Sequence, residues 1–100
     1  MAYAVKFAVS LSIGQLGQAL DRTGPWRWRT SDSDQYGETL WTVTDEGIDL
    51  TIFGKKPSWI VQVGVSLDDD AGRAAIDRVL MQRVFPAISA TDIGETETVR

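Results

Sequence analysis

Large apolar side chains alternate with small or polar ones at the start of the chain. Tyr3, Val5, Phe7, Val9 and Leu11 are interleaved with Ala4, Lys6, Ala8 and Ser10. A period of two predicts a strand with one large-apolar face. The pattern then changes. Ser12-Ile13-Gly14-Gln15 has the form of a capping box, in which the Ser12 hydroxyl takes the Gln15 amide and the Gln15 side chain reaches back. Leu11 and Leu16 stand where a hydrophobic staple forms, and Ile13, Leu16 and Leu20 share one helical face. Gly17 lies between them and would permit close contact of helix and sheet. Gly24-Pro25 is a stop signal.

Trp26 to Thr30 reads as a short strand with tryptophans on one face and arginines on the other, followed by a polar loop from Ser31 to Gly37. Thr39–Thr44 and Ile48–Phe53 read as a hairpin. A two-residue Glu46-Gly47 turn sets Val43 against Leu50 and Trp41 against Ile52. A three-residue Asp45-Glu46-Gly47 loop sets Val43 against Asp49 and Trp41 against Thr51. Matching apolar residues across the strands favours the first register, or a four-residue loop of the same parity. After a turn at Gly54-Lys55-Lys56-Pro57-Ser58, the residues Trp59, Val61, Val63 and Val65 form the clearest strand pattern of the chain.

Asp68-Asp69-Asp70 suits the start of a second helix, where acids complement the dipole. Asp69 and Arg73 form an i,i+4 pair. Ala75, Ile76, Val79, Leu80 and Val84 supply its apolar stripe, and Pro86 is expected to end it. The resulting order, β-α-β-β-β-β-α, predicts a two-layer α+β domain: a mostly antiparallel sheet with both helices on one face. Residues 1–86 form the expected compact domain. Residues 87–100 form a polar tail expected to be largely loose, with Ile88 and Ile93 as the residues able to dock. The inner face is expected to carry the apolar sets of Tyr3–Val9, Trp41/Val43, Leu50/Ile52 and Trp59–Val65. The open face would carry Ala4, Lys6, Ala8, Leu40, Thr42, Thr51, Phe53, Ile60, Gln62 and Gly64.

Composition narrows the chemistry. The 100 residues are 43% hydrophobic and 24% charged, ordinary for one globular domain. There is no cysteine and no histidine. Disulfides, thiolate nucleophiles, histidine-based triads and the usual zinc sites are thereby excluded. Carboxylate, lysine or tyrosine catalysis stays open, but no P-loop, dinucleotide fingerprint or nucleophile elbow is present. The net charge of −4 argues against a phosphate backbone as partner. Six acids and no lysine or arginine occupy residues 32–49, a run that is either a solvated face or a surface for a basic partner. No apolar run reaches the length of a membrane span, and the alternation from Tyr3 to Leu11 fits a strand better than a secretory leader. A cytoplasmic protein is expected.

Two groups of residues stand out. One is the segment of Trp26, Arg27, Trp28, Arg29, Asp32, Asp34, Tyr36 and Glu38, where aromatic, cationic and anionic groups crowd together. It reads either as core tryptophans with local ion pairs or as an interface patch, since Trp, Tyr and Arg dominate binding hot spots. The other is the open sheet face, with Leu40, Phe53 and Ile60 as its apolar grip. Asp32-Ser33-Asp34-Gln35-Tyr36-Gly37 superficially echoes a calcium loop, but Tyr36 and Val43 stand where oxygen ligands belong. Asp68–Asp70 is explained by capping. No cofactor and no metal are expected. These features predict a protein-interaction module, an inhibitor, immunity-type or adaptor protein, acting on a protein partner. Two alternatives come from other classes: a small-ligand domain or carboxylate-based enzyme using Trp26–Glu38, and a structural homodimer through the open sheet face.

Overall fold

The computed structural model describes residues 2–23, 26–33, 37–44, 47–64, 74 and 77–99. Strand β1 (Ala2–Ala8) leads into helix α1 (Ile13–Thr23). A four-strand meander follows: β2 (Arg29–Ser33), β3 (Gly37–Val43), β4 (Asp49–Lys55) and β5 (Ser58–Gly64). Residues 77–79 are helical, Leu80–Val84 form a π-helical turn, helix α2 (Phe85–Ile88) completes this element, and strand β6 (Glu97–Val99) follows. The sheet has the order β2-β3-β4-β5-β1-β6, with every neighbouring pair antiparallel. The helices lie on one face and pack against each other. The two-layer α+β architecture is therefore the one expected, with one strand added at the end. Among the described residues no helix is long and apolar enough to cross a membrane.

The first crossover forms as its sequence dictates. Ser12 N–H donates to Gln15 Oε1 at 2.9 Å, and Gln15 N–H donates to Ser12 Oγ at 3.3 Å, closing the capping box. Leu16 and Leu20 are buried, and Leu11 and Ile13 pack at the rim of the core. The expected stop at Gly24-Pro25 lies outside the described residues. Beneath α1, a Cβ on Gly17 would stand 3.1 Å from Leu40 Cδ2. The missing side chain is thus what lets the helix rest on Leu40.

The hairpin takes the register with the three-residue loop, correcting the expectation from apolar matching. Leu40 pairs with Ile52, Trp41 with Thr51, Thr42 with Leu50 and Val43 with Asp49. Thr44 N–H donates to Ile48 O, and Gly47 N–H donates to Thr44 O. Gly47 has φ +81°, the left-handed conformation that a three-residue hairpin loop requires of its last residue. Leu40 and Thr42 therefore point into the core, while Trp41 and Val43 stand on the open face. The inward threonines are satisfied: Thr42 Oγ1 donates to Arg27 O at 2.7 Å, and Thr44 Oγ1 accepts Ile48 N–H at 3.2 Å. Turn geometry and the seat for Leu40 outweighed cross-strand apolar pairing.

The strand expected at Trp26–Thr30 is displaced along the chain. Trp26 and Trp28 precede β2 and are buried. Trp28 N–H donates to Asp21 Oδ1 at 2.8 Å, which ties this segment to α1. The polar residues Ser31–Ser33, read as loop, are the second half of β2. At a sheet edge polar residues discourage further strand pairing.

The chain after residue 86 is not loose, and the compact body does not stop there. Pro86 lies inside the helical element rather than at its end. Proline lacks an amide and its ring collides with the carbonyl four residues back in an α-helix. Here the turn before it widens, with Phe85 N–H bonding Leu80 O, and the helix continues to Ile88. Ser89 adopts φ 53°, and Ala90 N–H donates to Phe85 O, a Schellman-type end. The tail then runs back along β1. Ala8 and Thr91 exchange both backbone bonds, Gly94 N–H donates to Lys6 O, and Glu97 pairs with Ala4. Three β1 residues (Val5–Phe7) thus oppose five tail residues (Asp92–Thr96), an edge bulge two residues deep.

The inner face carries Tyr3, Val5, Phe7, Leu50, Ile52, Trp59, Val61 and Val63, covered by Leu16, Leu20, Leu80, Val84, Phe85 and Ile88. The Phe7 and Phe85 rings meet at 5.1 Å between centroids, and Trp59 Nε1–H donates to Val9 O. Val65 and the Asp68–Asp70 cap, with Asp69, Arg73, Ala75 and Ile76, lie outside the described residues.

Two outcomes follow for stability. Gly17→Leu is expected to destabilise by about 1–3 kcal/mol through overpacking against Leu40. Gly14→Ala, with open space around the new Cβ, should stabilise by about 0.5–1 kcal/mol. Urea unfolding of both variants measures the difference, and equal midpoints would dismiss the close approach. Gly47→Val should cost about 1–2 kcal/mol because its φ is left-handed.

Candidate functional site

The segment of mixed aromatic and charged residues is divided by the fold. Trp26 and Trp28 are core residues, 9% and 7% exposed. The guanidinium of Arg83 lies over the Trp26 ring at 5.8 Å, within cation–π range. Arg27 is exposed and its carbonyl holds Thr42. Asp32 stands directly opposite Glu38 on β2 and β3, both exposed. Two like charges in that position repel rather than pair. Arg29 is three residues from Asp32 along the strand, so the two side chains leave opposite faces. Asp34 and Tyr36 lie outside the described residues, as does the centre of the calcium-like loop, whose ends Asp32 and Gly37 are strand residues. Among the described residues no group of three or more Asp or Glu is placed to hold a metal ion.

The open sheet face is better assembled. Arg29 pairs with Trp41 across β2 and β3, and its guanidinium lies 5.7 Å from the centre of the Trp41 ring. That arrangement pins a cation on an indole otherwise facing solvent. Trp41 is 37% exposed and its strand neighbour on the same face, Val43, is 47% exposed. Phe53 and Ile60 pair across β4 and β5 on this face and are half-buried. Leu40, expected here, is instead 1% exposed in the core beneath Gly17. It is replaced on the surface by Trp41 and Val43, expected on the inner face. The signal that could have found them was the glycine at the third loop position, Gly47.

The edge bulge shapes both sides of the sheet. On the open face it walls a groove of about 270 Å³ against Phe53, Ile60, Gln62 and Ala4, with Lys6, Glu95 and Glu97 at its rim. On the helix side it leaves a wider groove of about 690 Å³ between the π-helical turn and Ile93–Thr96, floored by Val5 and Phe85. A third groove, of about 500 Å³, runs past Val9, Leu11, Pro57 and Ile88. None of these three is lined by residues 26–38.

The burial of the four tryptophans yields an optical test. Trp26, Trp28 and Trp59 are buried and Trp41 is not. Iodide should quench one accessible component of the emission, drawn toward it by Arg29, and Trp41→Phe should remove that component. Emission from wild type that resists iodide as fully as the variant would contradict the register of β3. The chain matches no known protein-family model, and no curated protein matches it in sequence.

Proposed function

We propose that this is a small acidic protein-interaction module that works by binding rather than catalysis, as an inhibitor, immunity-type or adaptor protein does. Its contact surface is the open sheet face. The observation that carries this reading is Trp41, more than a third exposed beside Val43 on a sheet face opposite to the helices. An exposed aromatic flanked by an arginine and by aliphatic side chains has the composition of an interface hot spot. Leaving such a cluster in water forfeits hydrophobic burial on the order of 25 cal/mol per Å², which a partner recovers. Among the residues singled out from the sequence, Arg29, Phe53 and Ile60 belong to this surface, and Arg27 is exposed on the approach to β2.

The small-ligand or carboxylate-enzyme reading of Trp26–Glu38 has less behind it. Its aromatic wall is part of the core, and the Asp32–Glu38 pair stands on an exposed edge. A cytoplasmic location goes with the proposal.

Capture from source lysate with Trp41→Thr, Phe53→Asp and the helix-side control Gln82→Ala tests the reading. The first two should keep the wild-type circular dichroism and each weaken partner binding by about thirtyfold, the effect of losing a hot-spot residue. Gln82→Ala should bind as wild type does. Undiminished capture by both face variants would remove the sheet face from the function.

A further inference from the structure

The strand registers join into one row across the whole open face: Arg29, Trp41, Thr51, Gln62, Ala4, Glu97. Directly paired residues on antiparallel strands share a face, so all six side-chain positions look outward. The row has a cation at one end and an anion at the other. Its second position holds the largest side chain and its fifth one of the smallest. The strand order has three strands on each side of the line between β4 and β5.

From this arrangement we infer that the open face binds a second copy of the same chain, sheet on sheet, about a two-fold axis lying in the interface along the line between β4 and β5. Such an axis turns the face over and exchanges its two edges. Arg29 of one copy then meets Glu97 of the other, and the reverse contact forms at the opposite edge. Trp41 meets Ala4, a large side chain against a small one. In a neighbouring row Phe53 meets Ile60. The differences in size and charge along the central row are thus answered by their mirror positions. An interface of this kind is isologous and closes as a dimer. Two sheets so stacked lie about 10 Å apart.

The area fits a dimer of modest affinity. Six strands at about 4.8 Å spacing span about 24 Å, and three rows along the strands span about 17 Å. Two faces of that size bury on the order of 800 Å² in total, the range of a weak, transient association. This inference rests on the reading of the sheet face as an interface and names its occupant.

Charge reversal separates the possibilities. Arg29 and Glu97 are both exposed, so R29E and E97R should fold as wild type does, which circular dichroism checks. Sedimentation velocity over a micromolar to sub-millimolar series should show wild type passing from monomer to dimer. Each single variant should dimerise about tenfold more weakly or worse, because like charges then face each other. An equimolar mixture of R29E and E97R should recover dimer, since both contacts in the mixed pair join opposite charges. Within one chain the two residues stand on opposite edges of the sheet, so this rescue cannot be intramolecular. Ala4→Trp should abolish the dimer by filling the space that receives Trp41. A dimer indifferent to these changes, or a mixture without rescue, overturns the inference. So does a monomer at every concentration, and in that case loss of lysate capture by Trp41→Thr would still uphold the broader reading of the face.

Discussion

What stands on the outer surface of this domain depends on one close approach on the inside. Helix α1 crosses from the end of β1 to the far edge of the sheet and must pass over β3. It comes down where Gly17 has no side chain, and Leu40 fills the space. A tryptophan could not take that seat without lifting the helix, and lifting the helix would uncover Leu16 and Leu20. Because side chains alternate along a strand, fixing Leu40 inward fixes Trp41 and Val43 outward. The loop of three residues ending in left-handed Gly47 supplies the same parity from the other end of the strand. Two local constraints therefore agree, and the exposed aromatic patch is their consequence rather than an incidental surface feature.

A second constraint acts at the opposite edge. The proline at position 86 and the widened turn before it place Val84 and Phe85, adjacent in sequence, both in the core. The helix then ends where the tail can return beside β1. Pairing with β1 is broken by the bulge at Asp92–Thr96, which lifts the chain to form a wall on both faces. Glu97 resumes the pairing just beyond the bulge and so marks the end of the row that Arg29 begins. The anion and the cation that define the face come from the last strand and the first strand of the meander, nearly seventy positions apart in sequence.

Much of this was legible from the chain. The alternation in Tyr3–Val9 and Trp59–Val63, the capping box at Ser12 and the buried stripe at Val79, Leu80 and Val84 are local patterns, and local physics decided them. The role of small Gly17 was legible too, though not its partner Leu40. What failed was non-local or competitive. Cross-strand matching favoured Trp41 opposite Ile52, but that preference is worth less than the combined cost of an unsuitable turn and a helix propped off the sheet. Pro86 read as a stop because the π-helical turn that admits it has no sequence signature of its own. β6 is three residues long, too short for periodicity to register, and exists because β1 offers an unpaired edge. The candidate surface changed with the register: Leu40 left it, while Trp41, Val43 and Glu97 entered.

The edges explain why association should run through the face and not along the sheet. A sheet with a free edge can add strands without limit. Here β2 ends the sheet on one side with Arg29, Thr30, Ser31 and Asp32, all exposed, and a charged polar edge is a poor template for another strand. On the other side β6 offers only three residues, and the bulge before it twists the edge out of line. Both edges are thus blunted, whereas the open face keeps a tryptophan, a valine and a half-buried phenylalanine in reach of solvent. Hydrophobic attraction is non-directional and would by itself permit many arrangements. The opposed charges at the ends of the central row remove most of them: sliding one copy along the strands, or turning it end over end, brings Arg29 away from Glu97 or leaves Trp41 without its small partner. A net charge of −4 on each copy adds a general repulsion that only a well-matched contact overcomes. In the proposed dimer, specificity therefore comes from position, with charge and size arranged so that a closed contact satisfies both.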